Sequence, residues 1–223
     1  MEIEDLSNST SWLLVSYFRT RFPAWLVVSL PLTIVLPALA SGAISSAGGF
    51  ALAFGMALLL VVEFRLRDDL HDQEQDCRED PSRVLCRVES LAPFVWLLFT
   101  LAVVNLALVV WRWELPPLAM LIGLHFFLGR WYTVRSRWQL GPVVNYHLVL
   151  LKYPAFGFVL GYHPRLTDWS PLFAPLAVVY LGLCIAEVLH DRRLRSLNAA
   201  WICLGREATV LGGILAWWST QLL

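Results

Sequence analysis

Long apolar runs separated by short polar stretches make up most of the chain. A bilayer span takes about 20 mostly apolar residues, and seven stretches approach or meet that length. The first runs from about Phe22 to Ser41, behind a short amphipathic stretch from Ser11 to Thr20. The second covers about Ala43–Phe64, the third Leu91–Trp111 and the fourth Leu115–Trp131. The fifth is about Pro142–Gly161, the sixth Pro171–Val188, and the seventh begins near Ala200. Prolines within or beside these runs predict kinks, which membrane helices tolerate when neighbours satisfy the freed carbonyls. No repeat and no linker divides residues 1–223. The pattern predicts a single all-α domain, a polytopic membrane bundle of about seven helices around a central cavity open to the cytoplasmic face.

Composition agrees. Of 223 residues, 58% are hydrophobic and 15% charged, and mean hydropathy is +0.62, against about 45–50% apolar and about 25% charged in soluble domains. That excludes a disordered chain, a nucleic-acid binder and most soluble enzymes. The polar stretch Met1–Ser11, with Glu2, Glu4 and Asp5, has no basic region and does not read as a signal peptide. Cysteines 77, 86, 184 and 203 fit no zinc spacing and read as ordinary small residues.

The formal charge is zero, 17 basic against 17 acidic residues, but its distribution is uneven. With a cytoplasmic N-terminus, thirteen arginines (19, 21, 65, 67, 78, 83, 87, 130, 135, 137, 192, 193 and 195) fall on the cytoplasmic side, and Arg112 and Arg165 on the other. The positive-inside rule supports this orientation, and sixteen arginines to one lysine lean towards a bacterial inner membrane. Most of the 11 tryptophans, including Trp12, Trp25, Trp111, Trp113, Trp131, Trp138, Trp169 and Trp217, sit near span ends as an interfacial belt would. Trp96 and Trp201 lie deeper.

Candidate chemistry begins where the second span ends. Seven of the 13 residues from Asp68 to Asp80 are acidic. If the helix continues, Asp69, Asp72 and Asp76 share a face at i, i+3 and i+7, and Asp68 joins through Asp72 at i+4. Stacked like charges destabilise a helix and call for a cation, either solvent counterions around an acidic loop or a hard ion such as Mg²⁺, which binds through carboxylates and substrate phosphates. A second pair, Glu187 and Asp191, lies at i, i+4 at the cytoplasmic end of the sixth span. Alone it could be a helix-end salt bridge to Arg192 or Arg195. Together, on one membrane face, the clusters make a site for metal ions bridging a diphosphate.

These motifs resemble the UbiA superfamily of intramembrane prenyltransferases, whose first motif has the form NDxxDxxxD after the second helix and whose second acidic motif, often DxxxD, follows the sixth. Asp69, Asp72 and Asp76 match the first motif, with Asp68 in place of the asparagine. Glu187 and Asp191 match the second, with Glu for its first Asp, and Pro81 and Arg83 resemble the family's loop. Family prenyltransferases have more spans than the seven counted here, and the shorter pattern resembles the membrane-bound terpene cyclases of the superfamily.

The resemblance implies an enzyme that uses Mg²⁺, held by Asp68, Asp69, Asp72, Asp76, Glu187 and Asp191, to ionise an allylic prenyl diphosphate, farnesyl or geranylgeranyl, and cyclise it. Arg65, Arg83, Arg192 and Lys152 would contact the diphosphate, although Lys152, the only lysine, could instead snorkel. Trp96, Phe99, Phe126, Tyr146 and Asn145 would line the chamber, aromatic faces stabilising the cation. Transfer of the prenyl group to an aromatic or lipid acceptor is the alternative. A cation transporter or a non-catalytic membrane protein is the alternative of another class.

Overall fold

In the computed structural model, residues 10–112, 114–138, 141–164 and 170–221 are described. The polar N-terminal stretch up to residue 9, Trp113, Arg165 and Trp169 lie outside the described residues, as do the side chains of Arg137 and Trp138. Every regular element among the described residues is an α-helix: α1 (Thr10–Arg21), α2 (Ala24–Ala40), α3 (Ala47–Glu79), α4 (Val84–Arg87), α5 (Ala92–Trp111), α6 (Leu115–Trp138), α7 (Pro142–Leu150), α8 (Lys152–Gly161), α9 (Ser170–His190), α10 (Arg192–Arg195) and α11 (Asn198–Gln221). Five spans, Ala47–Glu79, Ala92–Trp111, Pro142–Gly161, Pro171–His190 and Asn198–Thr220, are long and apolar enough to cross a membrane. The bent pair α1 and α2, broken by 68° at Phe22–Pro23, makes a sixth. The stretch expected as the fourth span forms a 24-residue helix, α6, but lies outside that group, because Pro116, Pro117, His125 and Arg130 dilute it.

The longest helix, α3, starts at Ser46, whose hydroxyl accepts the Gly49 N–H at 3.1 Å. At 1.5 Å per residue its 33 residues span about 50 Å, against a hydrocarbon core of about 30 Å. Its C-terminal turns, which carry the acidic residues, therefore project past the apolar zone. The turn from α2 to α3 needs glycine. Gly42 has φ +75°, and a Cβ there would meet nothing within 4 Å, so backbone conformation alone selects it.

The core forms where α2, α3, α6, α8 and α9 meet. Glycines let α8 approach α2 and α9. A Cβ on Gly157 would sit 2.7 Å from Leu176 Cδ2, and one on Gly161 would sit 2.7 Å from Leu172 Cδ1 and 3.2 Å from the Ala38 backbone. This is a small-xxx-small contact of the kind that membrane helices use. Ser41 Oγ donates to the Gly161 carbonyl at 3.1 Å across the same seam. Phe64 and Phe156 pack with centroids 5.0 Å apart. The outer surface exposes Trp25, Leu36, Val95, Phe99 and Ile202, a liability in water but the required surface for lipid.

Candidate functional site

The acidic run lies on the helix as the spacing predicts, since α3 continues unbroken to Glu79. The aspartates do not all face the same way. Asp68, Asp72 and Asp76 line a cavity of about 510 Å³ together with Glu187, Asp191, Tyr132, Arg135, Asn145, Tyr146 and Arg193. Asp69 is turned towards α1, where it accepts hydrogen bonds from Tyr17 Oη and Arg21 Nε, both at 2.8 Å. It is 6% exposed and does not line this cavity. The structure thus separates Asp69 from Asp72: the two are about 60° apart around the helix, and α1 claims the Asp69 side with Tyr17 and Arg21.

The protein supplies a cation to each cavity-facing aspartate of α3. Asp68 pairs with Lys152 and accepts from Tyr132 Oη, Asp72 pairs with Arg135, and Asp76 pairs with Arg83. The Arg135 guanidinium also lies over the Tyr132 ring, 5.0 Å from its centroid. Lys152 is 2% exposed, so it is a buried ammonium with a carboxylate partner rather than a snorkelling one. Arg65, also expected at the diphosphate, is half-buried, with its Nε lacking a hydrogen-bond partner; it and Lys152 are close enough to act on Glu187.

The loop after α3 is fixed by a Cys77–Cys86 disulfide, correcting the reading of all four cysteines as ordinary small residues. Residues nine apart form no recognisable motif, and only the turn through Pro81 brings them together. Gln73 Nε2 donates to the Leu85 carbonyl at 3.0 Å, and the fold-back sets Arg83 against Asp76. The Ser82 hydroxyl and amide donate to Asp80 and hold its carboxyl below the usual range.

The second cluster stands opposite. Helix α9 ends at His190, and the Asp191 side chain accepts the Arg193 N–H at 2.7 Å, capping α10. Among the described residues Glu187 and Asp191 form no ion pair, so the salt bridge to Arg192 or Arg195 is not formed. Arg192 is exposed and does not line the cavity. Its neighbour Arg193 does, pairing with Glu79.

Asn145 and Tyr146 both line the acidic cavity. Asn145 Oδ1 accepts from Trp131 Nε1 at 3.1 Å, and Tyr146 lines the wall beside it. Trp131, read as an interfacial residue, is instead 4% exposed. Trp96, Phe99 and Phe126 are 68%, 60% and 77% exposed and face outward, correcting their assignment to the chamber. Sequence reasoning missed Tyr132 and Arg135 as site residues. Their i, i+3 spacing at the end of α6 was the available signal.

Fold and site define a multi-pass helical membrane protein with two carboxylate arms converging on one cavity. No protein-family model, curated protein or solved structure matches the chain.

Proposed function

We propose that the protein is a Mg²⁺-dependent enzyme of the UbiA type that ionises an allylic isoprenyl diphosphate within the membrane and closes the resulting cation into a terpene. The observation that carries this reading is the convergence of Asp68, Asp72 and Asp76 with Glu187 and Asp191 on one cavity, at the ends of helices otherwise apolar enough to span a bilayer. We read this face as cytoplasmic and the membrane as a bacterial inner membrane, on the arginine distribution.

The donor set fits the ion. All five acidic groups offer carboxylate oxygen, which suits a hard divalent cation, and Glu187 has no ion pair among the described residues to satisfy it otherwise. Mg²⁺, when bound by these carboxylates, supplies Lewis-acid neutralisation of charge on a leaving diphosphate. Arg83, Arg135 and Arg193 present guanidinium groups to the same cavity and suit bidentate contact with phosphate oxygens. The Lys152–Asp68 pair holds the α8 end against α3. On the lipid side, an apolar groove of about 900 Å³ between α6, α8 and α9, reaching Leu151, Phe158 and Tyr180, offers a bed for an isoprenoid tail.

The test is incubation of the purified protein in detergent with Mg²⁺ and geranyl, farnesyl or geranylgeranyl diphosphate, without acceptor. Cyclic hydrocarbon or alcohol products are expected. Turnover only with an added aromatic or lipid acceptor would identify a transferase instead, and no turnover under either condition would overturn the reading.

One observation favours a second reading, cation translocation. Glu63 is fully buried in α3, accepting from Asn105 Nδ2 at 2.8 Å and lying 3.4 Å from His125 Nε2, and intramembrane carboxylates mark ion paths in transporters. Cation flux in proteoliposomes, abolished by Glu63→Gln, would support it.

A further inference from the structure

A second polar cluster lies inside the bundle, apart from the acidic cavity. His147 on α7, Cys184 on α9 and Glu207 on α11 bring one nitrogen, the thiol and one carboxylate oxygen within 4.8 Å of one another. His147 Nδ1 is 3.4 Å from Cys184 Sγ, and His147 Nε2 is 3.0 Å from Glu207 Oε1. The Tyr180 hydroxyl is 3.1 Å from His147 Nδ1, and the Tyr146 ring stacks on the imidazole at 4.3 Å.

Glu207 is out of place for a packing residue. Along α11, Ala200 and Glu207 are the residues buried among those described, and the helix otherwise shows lipid-facing side chains such as Ile202 and Val210. Where the helix meets the bundle, hydrophobic packing would use leucine or isoleucine. The chain instead buries a carboxylate at 7% exposure, and neither of its oxygens accepts a well-aligned hydrogen bond. Its one close ion-pair partner among the described residues is the His147 imidazole, and a buried carboxylate is costly unless it is paired or coordinates a metal.

We propose that His147, Cys184 and Glu207 bind a transition-metal ion of the zinc class, stapling α11 to α7 and α9. Imidazole nitrogen, thiolate and carboxylate together form the borderline-soft donor set of zinc, whereas Mg²⁺ takes oxygen alone. Three protein ligands leave one of four tetrahedral positions open. The thiol and carboxylate also bracket the imidazole as in an activated nucleophile, but Cys184 is 0% exposed and no acyl group can reach it, which favours the metal.

The full-length protein, purified in detergent from zinc-supplemented cells and desalted, is assayed for metal by mass spectrometry. About one zinc per chain is expected, and Cys184→Ser and Glu207→Gln should each weaken zinc binding by more than about tenfold. Asp72→Ala, in the other cavity, should keep it. Replacing zinc with Co²⁺ should give the thiolate-to-cobalt charge-transfer band, absent in Cys184→Ser. Circular dichroism and gel filtration confirm that each variant is folded. If Cys184→Ser fails to fold, Glu207→Gln and the cobalt spectrum of the wild type decide. Absence of stoichiometric zinc after supplementation and titration, or zinc retained by folded variants, overturns the proposal. So does alkylation of Cys184 that is equally fast in zinc-loaded and zinc-free protein, since a bound metal shields its thiolate ligand.

Discussion

On α3, each cavity-facing aspartate meets a cation from the protein: Lys152 for Asp68, Arg135 for Asp72 and Arg83 for Asp76. On the opposite arm, Glu187 forms no ion pair among the described residues, and Asp191 is engaged by the Arg193 backbone N–H. One arm is neutralised by side chains and the other is not. Removing a carboxylate from α3 therefore strands a cation, and the cost depends on how deeply that cation is buried. Removing Glu187 breaks no ion pair among the described residues, so its loss should register in ligand chemistry more than in stability.

The largest stability effect falls where the stranded cation is deepest. Lys152 is 2% exposed, and breaking a buried pair costs about 3–5 kcal/mol. Asp68→Ala should lower the unfolding free energy by that much in chemical denaturation in detergent. An equal loss on Glu187→Gln would erase the contrast between the arms. Gly161→Ala comes next: its new methyl would meet Leu172 Cδ1 and the Ala38 backbone, and overpacking costs about 1–3 kcal/mol.

Cys77→Ser opens a loop closed over nine residues, which chain entropy values at about 2–3 kcal/mol, seen as earlier unfolding that reductant reproduces in the wild type. The bond also bears on orientation. Cytosolic thiols stay reduced, while the proposed orientation, which rests on the arginine distribution, puts this face in the cytoplasm. On that orientation, a membrane-impermeant maleimide added to intact cells under mild reductant leaves Cys77 and Cys86 unlabelled. Labelling from outside would invert the topology.

Smaller effects sharpen the comparison. Asp72→Ala should cost at most about 1 kcal/mol, because its pair with Arg135 is partly exposed and such pairs contribute little. Trp96→Ala, on the outer surface at 68% exposure, should change stability by no more than about 0.5 kcal/mol and leave turnover unaltered.

Much of this site was legible in the spacing. The DDxxDxxxD run holds no helix breaker before Pro81, so α3 had to carry it in register, and Glu187 sits where an apolar run meets polar residues. What stayed hidden depends on which helix packs where. Asp68 and Asp69 are neighbours, and only α1 returning to offer Tyr17 and Arg21 separates their roles. Trp96 and Phe99 misled because α5 is apolar almost throughout and in lipid the outer face is as hydrophobic as the core; the one inward marker is Asn105, buried against Glu63, nine residues and half a turn of phase from Trp96. Arg135, sixty-three residues from Asp72, reads in the sequence only as a marker of topology. Glu207 carries no sequence signal of its own; only the packing of α11 against α9 brings it beside His147 and Cys184.

The most direct test of the two-armed site is diphosphate release from farnesyl and geranylgeranyl diphosphate by purified protein with and without Mg²⁺, comparing wild type, Asp72→Ala, Glu187→Gln and Trp96→Ala. Mg²⁺-dependent release is expected from wild type and Trp96→Ala, with a loss on the order of a hundredfold or more in folded Asp72→Ala and Glu187→Gln. Full Mg²⁺-dependent release by either of those two variants would contradict the two-armed site.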